Sequence, residues 1–474
     1  TDLYAAVKGI DFIIDGHSHT VMTKGENGEP IQSTGTAFAN IGVIVIDDAT
    51  KKIESNSLFE IKEDTAKDAT VAAAAQKIID RIDKEYGAVF AKSEVVLNGA
   101  KAPNGNRDSE TNNGDLITDA MVWKILQDKE SLTVDADHVV AVTNGGGIRK
   151  AINPGDVTKK SINEVLPFGN TVVTIYITGA ELLEALEAST YCTPDAIGGF
   201  PQVSGINYTI STAVAYDANA ETYPASTYYG PKSINRVTIN SINGKEFKAD
   251  DTYAVITNDF CGGGGDTYYA FAAATAKFDT GIPLDEVVME YITAELKGVI
   301  GKQYAEPQGR ILMNPFKDVK TSTWYGSYVI DLYNDGIING TSATTYAPND
   351  TLTWAAALKL LLVSHGDLKA ADATGADWSK NTIAKAAELG LVAADLDGAK
   401  AISRLEFCQV AAKLNKLAES KTESKFTDCT DGYVMALVDA KVISGMTETT
   451  FEPAASLTRA QIAKILYQLT LIEK

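Results

Sequence analysis

Histidine and cysteine are scarce in this chain of 474 residues, with four of each. The cysteines (Cys192, Cys261, Cys408, Cys429) lie far apart and form no Cys-x-x-Cys pair, so neither a zinc ribbon nor a disulfide framework can be read from them. A bond between Cys408 and Cys429 is one reading of the last two; free thiols are the other. No apolar run approaches the ~20 residues that a membrane helix needs, so no transmembrane segment is expected. Positive charge is in deficit: 42 Lys and Arg against 62 Asp and Glu give a net charge of −20. That balance repels polyphosphate backbones and disfavours a nucleic-acid polymer as partner, although one small basic pocket can still take a phosphate.

What is present argues for folded domains. A 45% apolar content excludes wholesale disorder, and the length suggests about three domains of ~150 residues. Residues 1–63 carry two strand-like runs, Asp11 to Asp15 and Ile41 to Ile46, too few to make a stable domain alone. In 64–91, Val71, Ala75, Ile78, Ile79 and Ile82 recur at helical spacing, which predicts an amphipathic connector helix. Residues 92–313 alternate helical stretches (Leu116 to Gln127, Gly179 to Ala188, Leu284 to Lys297) with β-rich runs (Val172 to Ile177, Tyr253 to Thr257). The expected fold there is α/β or α+β.

From Phe316 to the end, 316–474, the chain repeats itself. Phe316-Lys317-Asp318, Tyr328 to Gly340, Tyr346-Ala347-Pro348 and Leu352-Thr353 return as Phe426-Thr427-Asp428, Tyr433 to Gly445, Phe451-Glu452-Pro453 and Leu457-Thr458. A degenerate middle copy opens its second helix at Ile402-Ser403-Arg404, giving expected units of about 316–364, 376–418 and 426–470 in an all-α array. Thr353, Ser403 and Thr458 stand where a helix cap is needed. Together with Leu457-Thr458-Arg459-Ala460-Gln461, this pattern resembles the S-layer homology module of exported bacterial surface proteins. The resemblance implies attachment to a secondary cell-wall polysaccharide, with Arg404 and Arg459 facing an acidic sugar substituent and Trp354 replacing the arginine in the first copy. A solvent-exposed charge at a helix start is the plainer reading of both arginines.

Two of the four histidines fall in Gly16-His17-Ser18-His19-Thr20, directly after an apolar run. Two imidazoles at a strand end suit metal ligation, although His-x-His by itself is most often an ordinary loop. With Asp11 to Asp15 before it, the segment resembles the last metal motif of calcineurin-like metallophosphoesterases. That likeness implies that His17 and His19 each bind one of two divalent ions, Zn, Mn or similar. The family's other histidine-bearing motifs are absent here, and His138 and His365 read as structural or exposed. The chain is therefore expected to be the C-terminal part of a longer enzyme, with 1–63 the remnant of its phosphoesterase domain.

Asn144-Gly145-Gly146-Gly147-Ile148-Arg149 follows the run Val139 to Thr143, then come Leu166-Pro167-Phe168-Gly169-Asn170 and Asn258-Asp259-Phe260-Cys261-Gly262 through Asp266. The bare glycine loop lacks the Walker lysine and the dinucleotide spacing. In this order and spacing, however, the three segments resemble the substrate-binding C-terminal domain of 5′-nucleotidases. The resemblance implies that Phe168 and Phe260 sandwich the base, Asp266 accepts from the ribose hydroxyls, and Asn144 and Gly146 lie beside base or sugar. It also implies that Arg149 and Arg107 face the substrate phosphate as a catalytic charge pair. Against this, an isolated Phe is usually core and Asp266 suits a turn or cap.

Together these likenesses imply an exported, wall-anchored bacterial enzyme that hydrolyses nucleoside phosphates. Two alternatives remain: a cyclic phosphodiesterase or UDP-sugar-type pyrophosphatase of the same domains, or a non-catalytic nucleotide-binding surface protein. Because two histidines cannot complete a dinuclear centre, the chain alone is expected to lack phosphatase activity. AMP hydrolysis by purified 1–474 with added Mn²⁺ or Zn²⁺ at ordinary enzymatic rates would contradict this.

Overall fold

A computed structural model describes residues 2–215 and 234–472. The chain divides into two units, Thr1–Glu85 and Tyr86–Lys474.

In the first unit, short strands Ile13–Ile14 and Val21–Met22 flank Ile31–Thr34, and Asn40–Ile46 pairs with Ile53–Glu60 as a separate hairpin. Helix Ala69–Tyr86 closes the unit. Its helical period is as predicted, but none of its residues is buried, and Val71, Ile78 and Ile79 are exposed. Ile31 is the one apolar side chain of this unit that is buried among the described residues. Buried Gln32 ties the small sheet to the hairpin instead, donating to Asn56 Oδ1 (2.6 Å) and the Ser57 carbonyl (3.0 Å).

The largest sheet of the second unit is five-stranded and mixed. Its order is Pro201–Ser204, Val139–Asn144, Thr252–Asn258, Thr171–Thr178 and Ala276–Pro283, and only the second and third strands are parallel. Alternation along these strands builds two cores, because successive side chains point to opposite faces. Val139, Ala141, Val172, Ala254 and Ile256 pack on one side with helices Asn112–Leu126 and Leu284–Ala294. Val140, Val142, Val173, Ile175 and Val255 pack on the other with helix Gly179–Ser189. Thr178 and Glu181 form a reciprocal capping box that starts this helix where the strand ends. The strands and helices expected within 92–313 are thus present, each extended or trimmed by a few residues.

Beyond Asn314, six α-helices among the described residues share one core, which includes Phe316, Trp354, Phe407, Cys408, Phe426 and Leu466. The repeated sequence pattern has a bonding explanation. Asp318 accepts the Tyr346 and Ala347 N–H groups at 2.9 and 2.7 Å, and Asp428 accepts those of Phe451 and Glu452 at 2.8 Å each. Ala347 and Glu452 are left-handed (φ 59° and 60°), which turns two successive N–H groups toward one carboxylate.

The copies also close a ring. Thr353 pairs with Ala401, Ser403 with Ser456, and Thr458 with Thr351. Helix starts leave four N–H groups without intrahelical partners, and here the next copy takes two of them. Trp354 and Ala355 donate to Lys400 and Gly398, Arg404 and Leu405 to Ala455 and Pro453, and Arg459 and Ala460 to Asp350 and Pro348. The Thr353, Ser403 and Thr458 side chains each cap a further N–H.

Candidate functional site

Four of the loops that carry glycine or exposed aromatics meet at one end of the five-stranded sheet. Asn144 and Asn258 end adjacent parallel strands, Asn144 lies opposite Pro201, and Asn258 lies opposite Val172. Residues 145–149, 166–170, 198–200 and 259–266 therefore crowd together.

Phe168 stands on the turn between helix Lys159–Val165 and strand Thr171–Thr178, and its side chain is 60% exposed. Phe260, in the short helix Asp259–Gly262, is 46% exposed. Neither is core, although burying a Phe is worth about 1.5–3 kcal/mol. Asn170 Nδ2 donates to Asp259 Oδ1 at 2.7 Å, which ties the two aromatic loops together. The Phe260 ring lies against Gly265, where an added Cβ would sit 2.5 Å from ring carbon Cε2. The Arg149 guanidinium lies 5.5 Å from the Phe168 ring centroid, and its Nη1 donates to the Gly146 carbonyl at 3.1 Å.

Beneath these rings is a polar network of Thr143, Asn144, Asn258 and Asp266. Asn258 donates to Thr143 Oγ1 (2.9 Å) and Asn144 Oδ1 (3.0 Å), and Asn144 donates to Asp266 Oδ2 (2.8 Å). Asp266 holds a left-handed backbone (φ 49°). Burial pushes its carboxyl pKa up, opposed by the Asn144 hydrogen bond and by the charge of nearby Arg107. The Arg107 carbonyl accepts the Ile197 N–H, so the segment bearing it is bonded to the 197–200 loop.

Gly145 and Gly146 donate their N–H groups to Phe200 and Gly198, both at 2.7 Å. A Cβ would approach Asn106 O to 1.6 Å at Gly145 and Gly198 O to 2.8 Å at Gly146. Glycine is required here by the close approach of other backbone, and these two N–H groups are spent within the protein. Cys261 is fully buried, and burial raises its thiol pKa, so the thiol stays protonated. All four cysteines are free, so the Cys408–Cys429 bond is not formed. The sequence reading did not nominate Thr143 or Asn258; the available signal was a polar pair ending two buried strands.

The remaining predicted residues lie elsewhere. His17 and His19 both have left-handed backbones (φ 65° and 59°) and exposed side chains. Among the described residues no group of three or more His, Cys, Asp or Glu is placed to hold a metal, so those present do not make a metal centre. His138 is at the opposite end of the sheet, 2.6 Å from Asp137 Oδ1, 3.4 Å from Asp251 Oδ2 and stacked on Tyr253. His365 pairs with Asp367 at 2.7 Å.

In the ring of repeats, Arg404 is buried, its guanidinium 4.7 Å from the Phe451 ring centroid and bonded to the Ser444 carbonyl. Its Nε is buried without a hydrogen-bond partner. Arg459 lies 4.4 Å from the Tyr346 ring centroid and donates to the Tyr346 and Asn339 carbonyls. Each arginine bridges its own copy to the next.

These features define an α/β domain followed by a helical repeat module. Residues 89–273 match the model of the 5′-nucleotidase C-terminal domain, and 315–357 and 428–463 match the S-layer homology domain. The chain thus carries a 5′-nucleotidase C-terminal domain followed by S-layer homology domains. It is 33% identical over 328 residues to the trifunctional nucleotide phosphoesterase protein YfkN of Bacillus subtilis, covering 65% of this chain and 20% of that protein. It is 27% identical to 5′-nucleotidase of Mus musculus over 64% of this chain and 54% of the relative. The chain therefore spans between a fifth and about half of these relatives. A 5′-nucleotidase precursor from Thermus thermophilus is a structural neighbour (TM-score 0.48, 26% identity, 64% of this chain and 59% of that one).

The raised Asp266 pKa has a testable sign. The folded state holds this proton up to a higher pH than the unfolded chain does, so the residue's contribution to stability falls as pH rises from about 3.8 through the raised value. The urea midpoint of Asp266→Asn is expected to improve relative to the parent across that interval. A difference independent of pH would contradict the assignment.

Proposed function

We propose that residues 92–313 form the nucleoside-recognising domain of a cell-surface 5′-nucleotidase, and that the repeats hold it at a bacterial cell wall. The observation that carries this reading is the pair of exposed rings, Phe168 and Phe260, on loops tied together by Asn170 and Asp259. A nucleobase stacked between them recovers apolar burial that the free protein forgoes, and stacking tolerates any base. Asp266 supplies an acceptor for ribose hydroxyls. Arg149 and Arg107 supply cationic forks for the phosphate, where charge-assisted, bidentate contact is strong. Asn144 and Gly146 complete the wall of the pocket in this reading.

Nucleotidases of this family are generally metal-dependent. His17 and His19 can contribute at most two donors, fewer than a divalent ion typically needs. What this chain's residues do is bind and orient the nucleoside, which holds the phosphate for in-line attack. The name of the Bacillus subtilis relative, a trifunctional nucleotide phosphoesterase, favours a second reading in which the pocket serves more than one nucleotide phosphoester.

For the repeats, we propose three units, 316–364, 376–418 and 426–470, that bind a secondary cell-wall polysaccharide and keep the enzyme extracellular. The S-layer homology matches support attachment. Arg404 and Arg459 remain the proposed contacts for an acidic sugar, in addition to their bonds to the neighbouring copy. No described helix is long and apolar enough to cross a membrane.

Calorimetric titration of AMP and adenosine tests the pocket. At ~1–3 kcal/mol per stacked ring, Phe168→Ala or Phe260→Ala should weaken binding by roughly 5- to 150-fold, and the double variant should abolish it. Unchanged affinity in the double variant would refute the reading.

A further inference from the structure

Asn258 ends the strand Thr252–Asn258 and is 3% exposed. One backbone donor fixes the orientation of its carboxamide. Oδ1 accepts the Cys261 N–H at 2.8 Å, and a backbone N–H can only donate. Nδ2 must therefore point the other way, toward Thr143 Oγ1 at 2.9 Å and Asn144 Oδ1 at 3.0 Å.

That contact in turn orients Asn144. With its oxygen taken by a donor, its Nδ2 is left to donate to Asp266 Oδ2 at 2.8 Å. Asn258 and Asp266 select the same flip of the Asn144 amide, Asn258 by donating to its Oδ1 and Asp266 by accepting from its Nδ2, and an acceptor in place of the Asn258 amide hydrogen would set the two against each other. The flipped form would set a carbonyl oxygen against the Asp266 carboxylate in a buried setting, where two facing acceptors are costly. Asp266 would then turn away or take up a proton, and either change removes an acceptor from the pocket.

We propose that Asn258 is a positioning residue that holds Asp266 as a hydrogen-bond acceptor for the vicinal diol of a ribose, and so sets the sugar selectivity of the site without touching the ligand. The inference rests on the nucleoside reading above and names the part of the substrate that the relay serves. Polarity runs in one direction from the Cys261 N–H through Asn258 and Asn144 to Asp266. Thr143 anchors the second Asn258 hydrogen, which further restricts the amide from turning.

The test compares adenosine with 2′,3′-dideoxyadenosine by calorimetric titration into the full 474-residue chain. Asn258→Asp keeps an acceptor for the Cys261 N–H but has no amide hydrogen to give Asn144. The parent is expected to favour adenosine by about tenfold or more, the scale of a hydrogen bond to a charged group. In the variant that ratio should collapse toward one through loss of adenosine affinity alone, with dideoxyadenosine binding unchanged. A variant that keeps the parent ratio overturns the inference and leaves the nucleoside reading intact. A variant that loses both ligands equally also overturns it, since a general packing role would do that. A parent that binds neither nucleoside overturns both. Asn258→Ser retains a capping oxygen but is too short to reach Asn144, and it provides the same comparison should the Asp variant fail to fold.

Discussion

The site depends on two parallel strands, Val139–Asn144 and Thr252–Asn258, that end side by side with an amide-to-amide hydrogen bond between their last residues. Because both strands are buried on both faces, their ends can shift little, and the loops that follow inherit that position. The glycine turn after one strand and the Phe260 loop after the other are thereby held within reach of each other. The Asn170 to Asp259 bond adds the Phe168 loop from the antiparallel neighbour. Rigid strand ends with exposed loop side chains give a pocket whose aromatic rings remain accessible while the polar groups beneath them are held.

A comparable constraint organises the repeats. Each copy lacks partners for the first N–H groups of its second helix, and the next copy provides carbonyls for two of them. Since copy three bonds back to copy one, the array closes instead of leaving an open end, unlike linear solenoids whose end repeats need special caps. The aromatic of each (Tyr/Phe)-x-Pro turn then lies over an arginine that opens the second helix of the neighbouring copy, Phe451 over Arg404 and Tyr346 over Arg459, which joins the sequence pattern to the assembly.

Much of this was legible in the sequence where local chemistry decides. Val172 to Ile177 read as a strand because five of its six residues are β-branched, and it extends to Thr171–Thr178. Thr353, Ser403 and Thr458 read as caps and are caps. Phe168, between Pro167 and Gly169, and Phe260, two residues before Gly262, lie outside any apolar period, and both are exposed, Phe260 from a short helix. Less was legible where partners are remote in sequence. Nothing near Arg404 announces that it is covered by Phe451, and nothing near Gly145 announces the carbonyl of Asn106. The Asn258 amide was equally silent, because its role depends on Thr143 and Asn144 more than a hundred residues earlier. The stripe on helix Ala69–Tyr86 was legible as a period but not as a burial, since period alone does not supply a packing partner.

The central claim is that one end of this sheet holds a nucleoside, and the most direct measurement is a crystal structure of the chain with adenosine bound. The account predicts the base between the Phe168 and Phe260 rings and the ribose hydroxyls on Asp266. Adenosine bound at any other place, with these two rings bare, would contradict it.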